Sequence, residues 1–120
     1  MMAREDRAWL AGLLDGEGCI DAPRGNPRLR VKMADLDVVL RAADLMGCTV
    51  YTEVDHRTSV LGKPYSPMHV AQISGEKAVE VLTAVLPWLG ARRTAKATQV
   101  IAHHMARKSG RIRLLRTEAA

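Results

Sequence analysis

Apolar positions recur along the chain with two different periods, and their order predicts alternating helices and strands. Residues 9–16 have the spacing of an amphipathic helix, and residues 19–22 have the spacing of a short strand. A turn rich in Gly, Asn and Pro covers residues 23–27. Basic and apolar side chains then alternate strictly over residues 28–33, which predicts a strand with one cationic face and one apolar face.

The same order follows a second time. Asp35 stands at an N-cap position and Gly47 at a C-cap position, which predicts a helix between them. The predicted inner side of that helix consists of Leu36, Val39, Leu40, Ala43 and Met46. Residues 49–55 and 69–74 predict two further strands, and the polar connection between them contains Gly and Pro.

Two helices are predicted after the last strand. Ala78, Val81, Leu82 and Val85 define a third helix, which Pro87 terminates. A last helix is predicted over residues 91–108, with Ala97, Val100, Ile101 and His104 on its inner side. We therefore predict one domain over residues 1–108, followed by a basic tail over residues 109–120 that is a candidate for disorder.

This order predicts an α+β fold, in which helices cover one face of a four-stranded antiparallel sheet and leave the other face open. On the strand formed by residues 28–33, the open face would carry Arg28, Arg30 and Lys32. An exposed, cationic and twisted sheet is suited to a DNA groove.

Composition narrows the class of protein. The 120 residues contain no apolar run long enough to cross a bilayer, and residues 1–7 lack the pattern of a signal peptide. We therefore expect a soluble cytoplasmic protein, and abundant Ala and Arg suggest a bacterial or phage source. Cys19 and Cys48 are expected to be free thiols, and the four histidines do not combine with them at zinc-ligand spacing.

The distribution of charge indicates an acidic partner. The net charge is +5, but residues 1–60 hold 8 Lys and Arg against 10 Asp and Glu, whereas residues 61–120 hold 10 against 3. The basic excess gathers in Arg92, Arg93, Lys96, Arg107, Lys108, Arg111, Arg113 and Arg116. DNA, RNA and an anionic membrane surface fit this charge equally well, and so does a solvated helix face.

The first helix has one side of large residues and one side of small residues. The large side consists of Leu10, Leu13 and Leu14, and the small side of Ala8, Ala11, Gly12 and Asp15. The large side can bury against the sheet of the same chain, whereas the small side would let another backbone approach closely. Gly12 costs about 0.5–1 kcal/mol relative to Ala in a helix, so close packing is the better explanation for it. The neighbour is either an element of the same chain or a second subunit.

Residues 10–18 read LAGLLDGEG, which resembles the motif of the LAGLIDADG homing endonucleases, or meganucleases. The resemblance extends over about residues 6–106, because the order of elements is similar to the αββαββα arrangement of that family. It also includes the helix with the segment DLDVVL and the segment PWL before the last helix. The resemblance implies a homodimeric, site-specific double-strand DNA endonuclease, with a role in intron or intein mobility.

Family members need two motif helices, and this chain has one. The resemblance therefore implies a C2 homodimer that packs through Ala8, Ala11, Gly12 and Asp15 and cuts a long, near-palindromic target. It also implies a metal ligand at Glu17, beside Gly16, with Mg²⁺ as the cofactor and Mn²⁺ or Ca²⁺ as substitutes for binding. Glu17 departs from the family pattern, since the acid is most often Asp, and its longer side chain leaves the metal position less defined.

Further site residues follow from the same resemblance. Arg92 stands at about the position of a basic residue near the scissile phosphate, and Lys96 or Arg93 could take that part instead. Asp35 is either an N-cap only or a polar residue of the active site. Candidates for DNA contacts are Arg24, Arg28, Arg30, Lys32, Tyr51, Glu53, Arg57, Gln72 and Arg93.

Two alternatives remain open at this point. The first is a catalytically inactive protein of the same fold that binds DNA or RNA, as a transcription regulator or an intron maturase. The second is an interaction module whose motif is accidental and whose basic tail binds RNA or a membrane. We expect neither a membrane partner nor a small-molecule substrate.

Overall fold

The structure is a computed structural model that describes residues 2–55, 57 and 60–119, with side chains through Arg111. The helices are α1 (Arg4–Glu17), α2 (Leu36–Met46), α3 (Glu76–Val85) and α4 (Ala91–Ala119). The strands are β1 (Gly18–Asp21), β2 (Arg28–Met33), β3 (Val50–Glu53) and β4 (Met68–Ser74). Short 3-10 turns occupy Pro23–Gly25 and Leu86–Trp88. The predicted order of helices and strands is confirmed.

The four strands form one antiparallel sheet in the order β1-β2-β4-β3. β1 and β2 form a hairpin in which Gly18 pairs with Val31 and Asp21 pairs with Arg28. Because side chains alternate along a strand, this register divides the sheet into two faces. One face is apolar and lies under the helices; its buried residues include Ile20, Leu29, Val31, Ala71 and Ile73. The other face is open, as the α+β prediction requires.

The core between sheet and helices is aliphatic. Leu10, Leu14, Leu29, Met46 and Leu82 are its largest fully buried apolar side chains, and the chain contains no Phe. From α4, Ala97 and Val100 are buried and Ile101 and His104 are partly buried, as their spacing predicts. Within the described part of the chain, no helix combines the length and the apolar character that crossing a membrane requires.

The inner side of α2 differs from the prediction. Val39, Ala43 and Met46 are buried as expected, but Leu36 is 43% exposed and Leu40 is 51% exposed. The fully buried Ala42 takes part in the core in their place. The centre of the apolar stripe therefore lies on the Ala42 side of the helix, and the two leucines fall on its solvent flank.

Helix α4 also differs, because it continues to Ala119 through the segment 109–119 that the sequence analysis separated as a tail. Ser109 and Gly110 are a weak stop signal after Lys108, but no proline follows Leu89 and the Leu and Arg residues beyond Gly110 are good helix formers, so the helix continues through them. Arg113 and Arg116 lie beyond the described side chains.

The junction between α1 and β1 requires a glycine for reasons of space. Gly18 is buried, and its N–H donates a hydrogen bond to the Leu14 carbonyl oxygen. A Cβ at this position would lie 2.8 Å from both Cα and the carbonyl oxygen of Leu14. These are backbone atoms that cannot rotate away, so the chain can turn from helix to strand here only without a side chain.

We therefore expect Gly18→Ala to destabilise the fold by about 1–3 kcal/mol, the usual cost of forcing an extra group into a packed site. The measurement is the midpoint of urea unfolding. Gly110→Ala is the matched control, because a Cβ at Gly110 would meet nothing within 4 Å and alanine is the better helix former. Equal midpoints for the two variants would show that the close approach at Gly18 is not a constraint.

Candidate nucleic-acid interface and active site

The carboxylate of Glu17 is exposed at the last residue of α1. It makes no hydrogen bond or ion pair with any residue that the structure describes. Gly16 beside it is exposed as well, and a Cβ on Gly16 would meet nothing within 4 Å. The end of α1 therefore presents an unpaired carboxylate with free space around it.

Asp15 ties the end of α1 to the start of α4. The backbone N–H of Gly90 donates to both carboxylate oxygens of Asp15, at 2.9 Å to Oδ1 and 3.1 Å to Oδ2. Gly90 directly precedes Ala91, the first residue of α4, so this carboxylate also offsets the positive end of the α4 helix dipole. The residues after Ala91 are thereby held beside the end of α1.

The basic residues predicted for the active site lie on the first turns of α4. Arg92 and Lys96 are exposed, are one helical turn apart, and make no ion pair with any described residue. Arg93 is partly buried, and its Nε has no hydrogen-bond partner in the structure. The link between Asp15 and Gly90 thus brings Arg92 to the Glu17 end of the molecule, whereas Arg93 points toward the body of the chain.

Asp35 lies at the same end of the sheet. Gly18 pairs with Val31, so β1 begins where β2 ends, and Asp35 follows β2 after one intervening residue. Asp35 occupies the N-cap position of α2 but makes no capping hydrogen bond with its side chain. Its exposed carboxylate is therefore available for another interaction, although the sequence analysis also allowed a simple cap.

The described residues of a single chain supply only part of a metal site. Among the described residues, no group of three or more His, Cys, Asp and Glu side chains could hold a metal ion. The free Glu17 carboxylate and the open position at Gly16 offer hard oxygen donors, which suit Mg²⁺, and Mg²⁺ keeps several water ligands in most protein sites. The donor chemistry thus fits a divalent cation, but the set of donors is incomplete in a single chain.

The open face of the sheet collects most of the residues predicted to contact DNA. Directly paired residues point to the same face, so Arg30 lies between Cys19 and Gln72, and Val70 lies between Lys32 and Tyr51. The residues on this face from the four strands are Cys19, Asp21, Arg28, Arg30, Lys32, Tyr51, Glu53, Met68, Val70, Gln72 and Ser74. All six strand residues among the predicted DNA contacts are included.

Carboxylates on the open face hold its cations in place. Glu53 accepts a hydrogen bond from Arg30 Nη2 at 3.2 Å and lies 2.5 Å from Lys32 Nζ. The hydrogen bond from Lys32 lowers the pKa of Glu53, and the charges of Lys32 and Arg30 add to this shift. In the β1–β2 hairpin, Arg28 Nε donates to Asp21 Oδ1 at 2.8 Å, and this bond raises the pKa of Arg28.

Asp21 and Cys19 were not among the predicted contact residues. Both lie on the open face because they alternate with the buried Gly18 and Ile20 along β1. The alternation was visible in the sequence, but four residues without a basic side chain give a weak signal. Asp21 limits how freely Arg28 can rotate toward a ligand.

The remaining predicted contacts lie outside the strands. Arg24 is exposed at the tip of the β1–β2 hairpin and has a φ of 54°, which belongs to the left-handed region. Arg57 is 82% exposed in the connection between β3 and β4, where its Nη2 donates to Asp55 Oδ2 at 2.8 Å. This pairing raises the pKa of Arg57. Both arginines extend the cationic surface past the edges of the sheet.

The small side of α1 is partly open and partly buried. Ala8, Gly12 and Gly16 are exposed at spacings of four residues, and they form what we call the α1 stripe. Ala11 does not belong to this exposed stripe, contrary to the expected interface, because it is fully buried in the core of its own chain beside Leu10 and Leu14. A partner helix could contact the α1 stripe directly but could not reach Ala11.

Two solved structures of the homing endonuclease I-CvuI have a similar fold. One is in complex with the I-CreI target in the presence of 2 mM Mg, with the DNA not cleaved; it has a TM-score of 0.56 and 24% identity. That match covers 82% of this chain and 65% of the other. The second is in complex with its own target in the presence of 2 mM Ca; it has a TM-score of 0.57 and 24% identity, over 83% and 68% of the two chains.

This chain therefore has the fold of the LAGLIDADG homing endonucleases, as the sequence resemblance predicts. It spans about two thirds of the length of the I-CvuI chains. No family model and no curated protein matches the sequence. The similarity in fold is thus consistent with the nine-residue motif at the end of α1, residues 10–18.

The link between Asp15 and Gly90 gives a prediction about stability. Asp15→Ala should cost about 1 kcal/mol, with a range of roughly 0.5–1.5, because the amide of Gly90, just before α4, loses its acceptor. Asp15→Asn keeps an acceptor oxygen and should lose less. Urea unfolding of both variants measures the difference, and a loss of equal size in both would show that charge rather than the hydrogen bond is responsible.

Proposed function

We propose that two copies of this chain form a site-specific endonuclease that cuts double-stranded DNA with divalent metal ions. The observation that carries this proposal is the unpaired Glu17 carboxylate at the end of α1, next to the exposed α1 stripe. A second copy packed along the stripe would bring a second Glu17 close to the first. Two carboxylates so placed repel each other unless cations lie between or beside them.

The open face of the sheet supplies the surface for DNA. Arg28, Arg30 and Lys32 project from it on one strand, and Arg24 and Arg57 extend it beyond the strands. Gln72 and Tyr51 add groups that can read base edges, whereas the arginines can contact either bases or phosphates. The I-CvuI chains of the same fold are in complex with DNA targets, which supports the choice of DNA over RNA or a membrane.

Each site residue has a part in this proposal. Glu17 and the carbonyl of Gly16 would hold the cation, which would supply an activated water and stabilise charge on the phosphate oxygens. Arg92 would donate to the scissile phosphate, because it makes no ion pair with any described residue and lies two residues after Gly90, which Asp15 holds beside the end of α1. Lys96 lies one turn further along α4, and Asp35 offers a carboxylate that can accept a hydrogen bond from water.

The first experiment is cleavage of a randomised duplex library in Mg²⁺ with sequencing of the ends. Wild-type protein should cut at a near-palindromic sequence, and Glu17→Gln should reduce cutting to the level without protein, because an amide is a poor ligand for Mg²⁺. Glu80→Gln on α3 is the control, since Glu80 is an exposed helix glutamate outside the proposed site and should leave cutting unchanged. Duplex binding without cuts that depend on Glu17 would favour the catalytically inactive DNA-binding alternative.

The dimer has a separate test at Gly12. In the single chain a Cβ on Gly12 meets nothing within 4 Å, and leucine is a better helix former by about 1 kcal/mol. Gly12→Leu should therefore stabilise a monomer, yet block the close approach of a second helix. Sedimentation should show a dimer for wild type and for the control Thr98→Leu on α4, and a monomer for Gly12→Leu. A dimer that persists in Gly12→Leu would exclude the α1 stripe as the contact.

A further inference from the structure

One exposed flank of α4 carries polar and basic residues in a single line that begins at the active-site candidates Arg92 and Lys96 and continues past them along the helix. The spacings are four, three, four and four residues, so the side chains lie on one face of the helix within less than a quarter of its circumference. All five are exposed: Arg92, Lys96, Gln99, His103 and Arg107. We call these residues the α4 stripe.

The α4 stripe faces the β1–β2 hairpin. Arg107 Nη1 donates a hydrogen bond of 2.6 Å to the carbonyl oxygen of Gly25, at the tip of that hairpin. A Cβ on Gly25 would lie 2.7 Å from Arg107 Nη1 and 3.4 Å from His103 Nε2, so both side chains lie against the tip. The other flank of α4 is held by α3, where Glu76 accepts hydrogen bonds from His104 and Lys108.

The α4 stripe begins beside the candidate active site at the end of α1 and ends at the β1–β2 hairpin. Its start is fixed beside the end of α1 by the bond between Gly90 and Asp15, and its last residue contacts the hairpin that presents Arg24. From Arg92 to Arg107 the helix advances fifteen residue steps and rises about 22 Å, which is the axial length of roughly six base pairs. The stripe thus runs beside β1, the edge strand of the sheet, from the candidate active site to the hairpin tip.

We propose that the α4 stripe contacts the phosphates of the DNA strand that passes along the β1 edge of the sheet. This proposal rests on the proposed DNA-binding function and extends its surface to a helix. Arg107 donates one N–H to the carbonyl oxygen of Gly25. A guanidinium has five N–H donors, so others can still bind an anion. Contacts of this type fix affinity and register without reading bases, so the stripe contributes to the salt dependence of binding and not to the choice of target.

The test is the slope of duplex affinity against salt concentration on logarithmic axes, measured by fluorescence anisotropy without Mg²⁺. Gln99→Lys adds one cation to the stripe and should steepen the slope by about 1, since each phosphate contact contributes about 0.9. Thr98→Lys is the matched control on the same helix, exposed but outside the stripe, and should leave the slope unchanged. The gain of charge at Gln99 removes no contact, so it separates electrostatics from support of the hairpin.

A loss variant completes the experiment. Arg107→Gln should flatten the slope by about 1, and Arg4→Gln, an exposed arginine at the distant start of α1, should not. If the wild-type protein binds duplex DNA well but the salt slope is unchanged in both Gln99→Lys and Arg107→Gln, the α4 stripe does not contact phosphates. That result would leave the proposed function intact. Wild-type protein that does not bind duplex DNA would overturn both.

Discussion

The packing of helix α1 is the constraint on which the rest of the structure depends. Its large residues Leu10 and Leu14 are fully buried against the sheet, and Gly18 lets the chain turn into β1 in direct contact with Leu14. This arrangement leaves Gly12 and the neighbouring small residues facing solvent. An exposed glycine in a helix interior, such as Gly12, is costly unless something approaches it closely, and this cost is the physical reason for expecting a second helix there.

Helix α1 also positions the two carboxylates of the candidate site, Asp15 and Glu17. Asp15 accepts the amide of Gly90, just before α4, while Glu17 two residues later has no partner among the described residues. Two carboxylates at the end of one helix thus have different tasks, one structural and one open to a ligand. The open face shows the opposite arrangement, since Asp21 and Glu53 neutralise part of its cationic charge and hold Arg28, Arg30 and Lys32 in defined positions. A surface with ordered side chains loses less conformational entropy when it binds DNA.

Strong periodic signals made the fold predictable from the sequence. The alternation in β2, the bounds of α2 between Asp35 and Gly47, and the turn at residues 23–27 each had a local signal in the sequence, and the structure has each of those elements. Predictions that depended on tertiary packing were less accurate. Leu36 and Leu40 are exposed because neighbouring elements decide which part of an apolar stripe is covered.

In the candidate site, too, features with a local signal were predictable from the sequence and features that depend on tertiary contacts were not. The open-face residues followed from strand periodicity, which is local, and the position of Glu17 followed from the motif. The bond from Gly90 to Asp15 joins residues 75 positions apart, and the contact of Arg107 with Gly25 joins residues 82 apart, so no local pattern could indicate either. Ala11 was assigned to an interface because helical spacing alone does not distinguish a small residue in the core from one on the surface.

The most direct measurement is the distance between the two copies of Cys19 in a spin-labelled sample. Cys19 is exposed two residues after Glu17, whereas Cys48 is half-buried, and its burial raises the pKa of its thiol, so label attaches preferentially to Cys19. Cys48→Ser removes the second thiol. If two α1 helices meet along Ala8, Gly12 and Gly16, pulsed dipolar spectroscopy should give a single short distance that Gly12→Leu abolishes. Folded protein that shows no coupling between labels would contradict the shared active site on which the account depends.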